Sequence, residues 1–201
     1  MFALLGLHGS SGHPAFIRSF IEKLAPDVSS ICPEGTFPDG DGFTFFKRRP
    51  DFSIPEEELL DLARDSVSPA GFVCASGSET MLAVGYSSGA IFATALLAVA
   101  PHLFVGAILL RPQVISEGFA FPDLSAKPVL ILSGLNDSRR QPRHALQLAE
   151  QLSAANADVT HHALEAGHGL APDDADLTLA ASWMAASFTS LLSPIAAIGR
   201  K

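Results

Sequence analysis

Met81-Leu82-Ala83-Val84-Gly85-Tyr86-Ser87-Ser88-Gly89 runs directly into Ala90-Ile91-Phe92-Ala93-Thr94-Ala95-Leu96-Leu97-Ala98-Val99-Ala100. Met81 to Val84 has the length and composition of a buried strand, and Ala90 to Ala100 forms an almost wholly apolar helical stretch. Between them lies Gly-x-Ser-x-Gly. In the order strand, motif, helix, this is the setting of a nucleophile elbow, a turn that lifts a serine hydroxyl clear of a sheet edge. Gly85 and Gly89 lack the Cβ atoms that would keep strand and helix from closing around Ser87. The helix N-terminus behind Ser87 offers free N–H groups and a positive dipole end to a developing oxyanion.

Around this elbow, strand-like and helical stretches alternate. Met1 to Leu7 reads as a strand ending in the small-residue loop Leu7-His8-Gly9-Ser10-Ser11-Gly12. Pro14 suits a helical first turn, and Ile17, Phe20, Ile21 and Leu24 stripe one face. Asp27 to Cys32 is a second short strand. Residues 33–52 show no clean period and read as a long loop, of a length that is usually functional in a compact domain. Ser53-Ile54-Pro55-Glu56 has capping-box spacing, which predicts a helix from about residue 54 into the low seventies. Val105 to Leu110, Pro128 to Ser133 and Val159 to Leu164 are further strands. Ala145, Leu148, Ala149 and Leu152 stripe one helix. Leu177, Ala181, Met184, Phe188 and Leu191 stripe the last, which Pro194 closes. Nearly continuous apolar strands alternating with helices predict an α/β fold, with a mostly parallel sheet of about six strands and helices on both faces. The chain is long enough to bury one full core, so residues 1–201 are expected to form a single domain. The connection between Arg111 and Lys127 is too short for a helical cap domain.

In a parallel sheet the chemistry collects outside the carboxyl ends of the strands. Asp137 follows the strand that ends at Ser133, and His168, flanked by Gly167 and Gly169, follows the strand that ends at Leu164. Ser87, Asp137, His168 is the chain order in which such a fold delivers nucleophile, acid and base. A serine hydroxyl needs a base to take its proton, and that base needs a partner to hold its other ring nitrogen protonated. Asp123 sits in a Pro-flanked loop with no strand just before it, and Glu165 is too near His168 along the chain to reach round it. His161 and His162 are adjacent on a strand, point to opposite faces and cannot chelate one ion together. The oxyanion donors are expected to be the backbone N–H groups of Ser88 and Ser10.

The composition narrows the remaining classes. A net charge of −8 disfavours a nucleic-acid partner, and the only basic cluster, Lys47-Arg48-Arg49, reads as a solvated loop. Cys32 and Cys74 read as reduced, buried small hydrophobes. No signal peptide or membrane-spanning run is apparent, so a cytoplasmic location is the expectation. No zinc-type spacing of His and Cys occurs.

Leu7-His8-Gly9, Gly85-Tyr86-Ser87-Ser88-Gly89, Leu110-Arg111-Pro112, the Asp137 loop and Gly167-His168 together resemble the phospholipase/carboxylesterase group of α/β hydrolases. Within that group the chain is similar to small bacterial carboxylesterases of the hydroquinone-resistance type. The resemblance spans nearly the whole chain. It implies the α/β-hydrolase fold and a cofactor-free Ser–His–Asp esterase or thioesterase acting on short to medium acyl groups. Two features depart from the pattern. The strands that often precede His8-Gly9 are trimmed, and the first loop has His13-Pro14 in place of acidic residues.

The expected substrate is a small uncharged ester, aryl esters included, with the net negative charge disfavouring anions unless Arg111 or His13 compensates. Phenylalanines of the 33–52 segment, Phe45 and Phe46 among them, and Ile115, Phe119 and Phe121 of the 113–122 segment are expected to supply an apolar pocket, with His13 and Arg111 as further substrate-binding residues. Thioester hydrolysis, or a non-hydrolytic ligand receptor on the same scaffold, are the competing readings. The trimmed edge of the sheet leaves room for pairing with a second copy.

Overall fold

A computed structural model describes residues 2–75, 80–141 and 143–189, with the side chains of Cys74 and Ala75 excepted. Its first strand, β1 (Ala3–Leu7), is buried along its whole length, which requires a sheet covered on both faces. In chain order there follow α1 (Pro14–Leu24), β2 (Ser30–Ile31), β3 (Phe37–Asp39), β4 (Gly42–Thr44), α2 (Glu56–Val67) and α3 (Phe72–Ala75). The second half comprises β5 (Met81–Tyr86), α4 (Ser88–Val99), a 3-10 turn at Pro101–Leu103, β6 (Phe104–Leu110), β7 (Pro128–Gly134), α5 (Arg143–Ala154), β8 (Asp158–Leu164) and α6 (Ala175–Ser187).

The main sheet has the order β2-β1-β5-β6-β7-β8, and all its pairings are parallel. Side chains alternate between two cores, as a period of two demands. Leu5, Leu7, Ala83, Ala107, Leu109, Val129 and Ile131 face α2, α4 and α5, whereas Leu4, Leu82, Val84, Ile108, Leu110, Leu130 and Leu132 face α1 and α6. α4 is buried on every side from Ser88 to Leu97, because it lies between the sheet and α2. That explains a helix with no polar face. Fold class and sheet agree with the expectation from the sequence: this is the α/β-hydrolase fold, and no helix occupies the 111–127 connection.

Three local expectations need correction. The 33–52 segment is not structureless: β3 and β4 form an antiparallel hairpin, with Phe37 opposite Thr44 and Asp39 opposite Gly42. The helix expected from about residue 54 begins at Glu56 without a capping box, since Ser53 Oγ donates to Asp51 (2.6 Å). It stops at Val67, where Pro69 disfavours continued helix, and a short second piece follows. Leu191 and Pro194 lie outside the described residues. Cys32 is buried with a free thiol. No described helix is long and apolar enough to cross a membrane.

The chain runs from β1 out to β2 on one side and returns to β5 on the other. The strand order therefore reverses at β1/β5, and the crevice of an open parallel sheet opens at that reversal. Registers align the carboxyl ends there: Leu7 pairs with Gly85, Tyr86 with Leu110, Leu110 with Leu132 and Gly134 with Leu164. His8, Ser87, Arg111, Asp137 and His168 all leave the sheet at this one edge.

Candidate active site

Ser87 has φ 56° and ψ −114°, a left-handed conformation that a residue with a side chain holds only when its surroundings impose it. The surroundings are the two glycines. A Cβ on Gly89 would overlap the carbonyl oxygen of Leu7, and one on Gly85 would lie 2.5 Å from the Gly89 oxygen. The elbow can close only with glycine at both positions.

Its hydroxyl donates to His168 Nε2 (2.8 Å). The other ring nitrogen, His168 Nδ1, donates to Asp137 at 2.8 Å (Oδ2) and 3.0 Å (Oδ1). Asp137 is nearly buried and also accepts the Arg139 N–H (2.8 Å), so its carboxylate has a fixed orientation. The Asp137 and His168 loops approach so closely that a Cβ on Gly134 would strike the Gly167 carbonyl. Burial lowers the His168 pKa below 6.5; the Asp137 bond opposes this, and the Arg140 charge adds to the lowering. The net lowering favours the neutral imidazole, the form able to accept a proton.

Among the other carboxylates and histidines weighed from the sequence, none joins this chain of hydrogen bonds. Asp123 is tied to Ser125 and Asn156, Glu165 is exposed, and His161 bonds Ser133 (2.9 Å). Ser10 and Ser88 lie on the same cavity as Ser87 and His168. The Ser10 loop is braced by the hairpin. Ser11 donates to Asp39 from N (2.8 Å) and Oγ (3.0 Å), and Gly12 and Phe43 exchange backbone bonds. His8, fully buried, fixes its other end by donating from Nδ1 to the Gly9 carbonyl (2.8 Å) and accepting the Gly35 N–H at Nε2 (2.9 Å).

The residues expected to bind substrate are placed elsewhere. Arg111 is buried, and all five of its N–H donors are engaged by protein: Nε to Gly167 O (3.0 Å), Nη1 to Leu132 O and Asp176 Oδ1, Nη2 to Gly169 O and Asp176 Oδ2. It clamps the carbonyls on both sides of His168 to α6. Phe45 and Phe46 are core residues, 1% and 2% exposed, and Phe45 stacks on Phe92. An aromatic ring so placed stabilises the fold and is closed to ligand. His13 contacts Asp41 and Glu34 away from the cavity.

Instead, a cavity of about 680 Å³ over Ser87 is lined mainly by residues with polar side chains, among them Arg48, Gln113, Arg139, Arg140 and His144, with Phe52 the single phenylalanine among the described residues there. Arg140 Nη2 donates to Ser87 Oγ (3.0 Å). The sequence reading missed this residue, although it lies just past Asp137 in a loop at the carboxyl edge, where that reading had placed the chemistry. Arg48, read as part of a solvated loop, is half-buried and bonded to Phe52 O (2.9 Å) and Gln113 Oε1 (3.1 Å). Among the described residues, no group of three His, Cys, Asp or Glu could hold a metal ion.

A parallel sheet with this elbow at its reversal point, and His and Asp delivered to it from later loops, is the architecture of the α/β-hydrolase fold. Comparison with known proteins agrees. The chain is 28% identical over 176 residues to the Bacillus subtilis protein described as "Putative hydrolase MhqD", covering 86% of this chain and 88% of that one. It superposes on a Bacillus cereus carboxylesterase with a TM-score of 0.85 at 27% identity, covering 93% and 89% of the two chains. A Mesorhizobium loti carboxylesterase shares the fold with a TM-score of 0.80 at 24% identity, covering 92% and 88%. No family model matches the chain.

Proposed function

We propose that the chain is a serine carboxylesterase that forms an acyl-enzyme on Ser87. The observation that carries this reading is the continuous relay Ser87 Oγ–His168–Asp137, at 2.8 Å for each closest link, set on a strained elbow at the lip of the sheet. Similarity to two bacterial carboxylesterases supports ester hydrolysis as the reaction.

In the first half, Ser87 Oγ attacks the ester carbonyl carbon while its proton passes to His168 Nε2. Negative charge moves to the carbonyl oxygen, where the backbone N–H groups of Ser88 and Ser10 receive it; such a donor typically contributes about 2.7–4 kcal/mol to barrier reduction. Collapse expels the alcohol, which takes the proton from His168, and leaves the acyl group on Ser87. Water then repeats the sequence, losing its proton to His168, and the acid departs with Ser87 reprotonated. The Arg140 guanidinium beside Oγ favours the charge developing on that oxygen. Asp137 holds the imidazole in the required tautomer and stabilises its cation. Burial of Phe45 and Phe46 in the core argues against the pocket of phenylalanines expected from the sequence.

Hydrolysis of p-nitrophenyl butyrate by the wild type, with an acyl-CoA assayed in parallel, tests this reading. His168→Ala and Asp137→Asn are each expected to lower kcat by roughly 10³–10⁶. Undiminished turnover by a folded His168→Ala protein would refute it.

A further inference from the structure

The cavity over Ser87 holds more positive charge than ester cleavage needs. Arg48, Arg139 and Arg140 line it, with Asp51 the only acid there among the described residues. The Asp51 carboxylate is turned to its own loop, accepting from Ser53 N (3.0 Å) and Oγ (2.6 Å). Among the described residues, none of the three guanidiniums reaches a carboxylate within ion-pair distance, in a chain with 21 acidic and 13 basic side chains. Arg48 and Arg140 are held by neutral acceptors: Phe52 O and Gln113 Oε1 for the first, Arg111 O, Arg139 O and Ser87 Oγ for the second. Burial, and next the charge of Arg48, push the Arg140 pKa down to about 10. Asp137 opposes the Arg140 charge without forming an ion pair with it; half-buried like charges so weakly compensated are costly, and a ligand that supplies a counter-ion relieves the cost.

We propose that the ester cleaved at Ser87 carries a carboxylate, which Arg48 and Arg140 hold through the planar fork that guanidinium offers to carboxylate. The substrate class is then half-esters of dicarboxylic acids or acyl esters of carboxylate-bearing alcohols. This rests on the esterase reading and narrows it. Net charge averaged over the chain pointed the other way, because it does not report where the few arginines gather.

The test pairs charged with neutral esters. Mono-p-nitrophenyl adipate against its methyl ester places the carboxylate on the acyl side, and 4-acetoxybenzoate against 4-acetoxybenzamide places it on the leaving group. In at least one pair, kcat/KM is expected to favour the charged ester about tenfold or more, with the preference shrinking as salt is added. Arg48→Gln is expected to bring the ratio near one, and Arg140→Gln, read as the same charged-to-neutral ratio, serves if Arg48→Gln does not fold. Arg64→Gln, on the exposed face of α2, removes the same charge elsewhere and is expected to keep the preference. Parity or neutral preference in both pairs would overturn the proposal, as would a preference that survives Arg48→Gln, or greater activity on 4-acetoxyphenyl phosphate than on the carboxylates. Calorimetric titration of Ser87→Ala protein with adipate separates this from the esterase reading. If no ester is cleaved, the esterase reading fails, and the carboxylate site stands or falls on whether adipate binds and Arg48→Gln abolishes that binding.

Discussion

Ser87 makes two hydrogen bonds of opposite sense, donating to His168 Nε2 and accepting from Arg140 Nη2. In the proposed mechanism Ser87 sheds its proton to His168, so the guanidinium acts on both partners. It stabilises negative charge on Oγ, and it also lowers the His168 pKa, after burial. The sign of the consequence follows. Below its pKa His168 is protonated and cannot accept, so kcat/KM falls on the acid side with a midpoint below 6.5. Arg140→Gln removes a lowering influence, so that midpoint is expected to move up in pH, with the plateau also reduced. The pH dependence of kcat/KM on a neutral ester measures both. An acid limb that moves down, or stays in place, would show that the Arg140 charge does not reach the imidazole.

At the scale of elements, the His168 loop is held by a residue from a different strand end. Arg111 follows β6, and its five donors tie Gly167 and Gly169 to Leu132 and to Asp176 of α6. Breaking a buried pair strands the remaining charge, so Arg111→Met is expected to destabilise the fold by about 3–5 kcal/mol. Urea denaturation reads this directly; a loss within experimental error of zero would mean that the clamp is dispensable. Arg111 also marks where the sequence stops being informative. Strands, elbow and the meeting of Ser87, Asp137 and His168 were legible because apolar runs, paired glycines and loop positions after strands are local signals. A lone arginine past a strand end looks the same whether it meets a ligand or a carboxylate in a helix sixty-odd residues later, as Arg111 meets Asp176. Phe45 and Phe46 failed for a related reason: an aromatic residue in an aperiodic segment does not declare which side of the loop it faces. The hairpin that braces the Ser10 loop was hidden too, since Phe37–Asp39 and Gly42–Thr44 are too short to show an alternation.

Taken whole, the molecule buries or half-buries several histidines, which disfavours their charged form. His8, His144, His161 and His168 all have pKa values lowered from 6.5, with burial the largest cause in each. Unfolding exposes them to ordinary titration, so below about 6.5 the unfolded chain binds more protons than the folded one. Stability therefore rises with pH through that window and falls on acidification. Urea midpoints at pH 7.5 and pH 5.5 check this, and a higher midpoint at pH 5.5 would contradict it. The same architecture sets three residues from distant parts of the chain at one sheet edge, and the account stands on the nucleophile they create. Intact-mass analysis after treatment with a fluorophosphonate tests it most directly. The account predicts one covalent adduct on the wild type, mapping to Ser87 and absent from Ser87→Ala. A wild-type protein that takes no adduct, or takes it on a different residue, would contradict it.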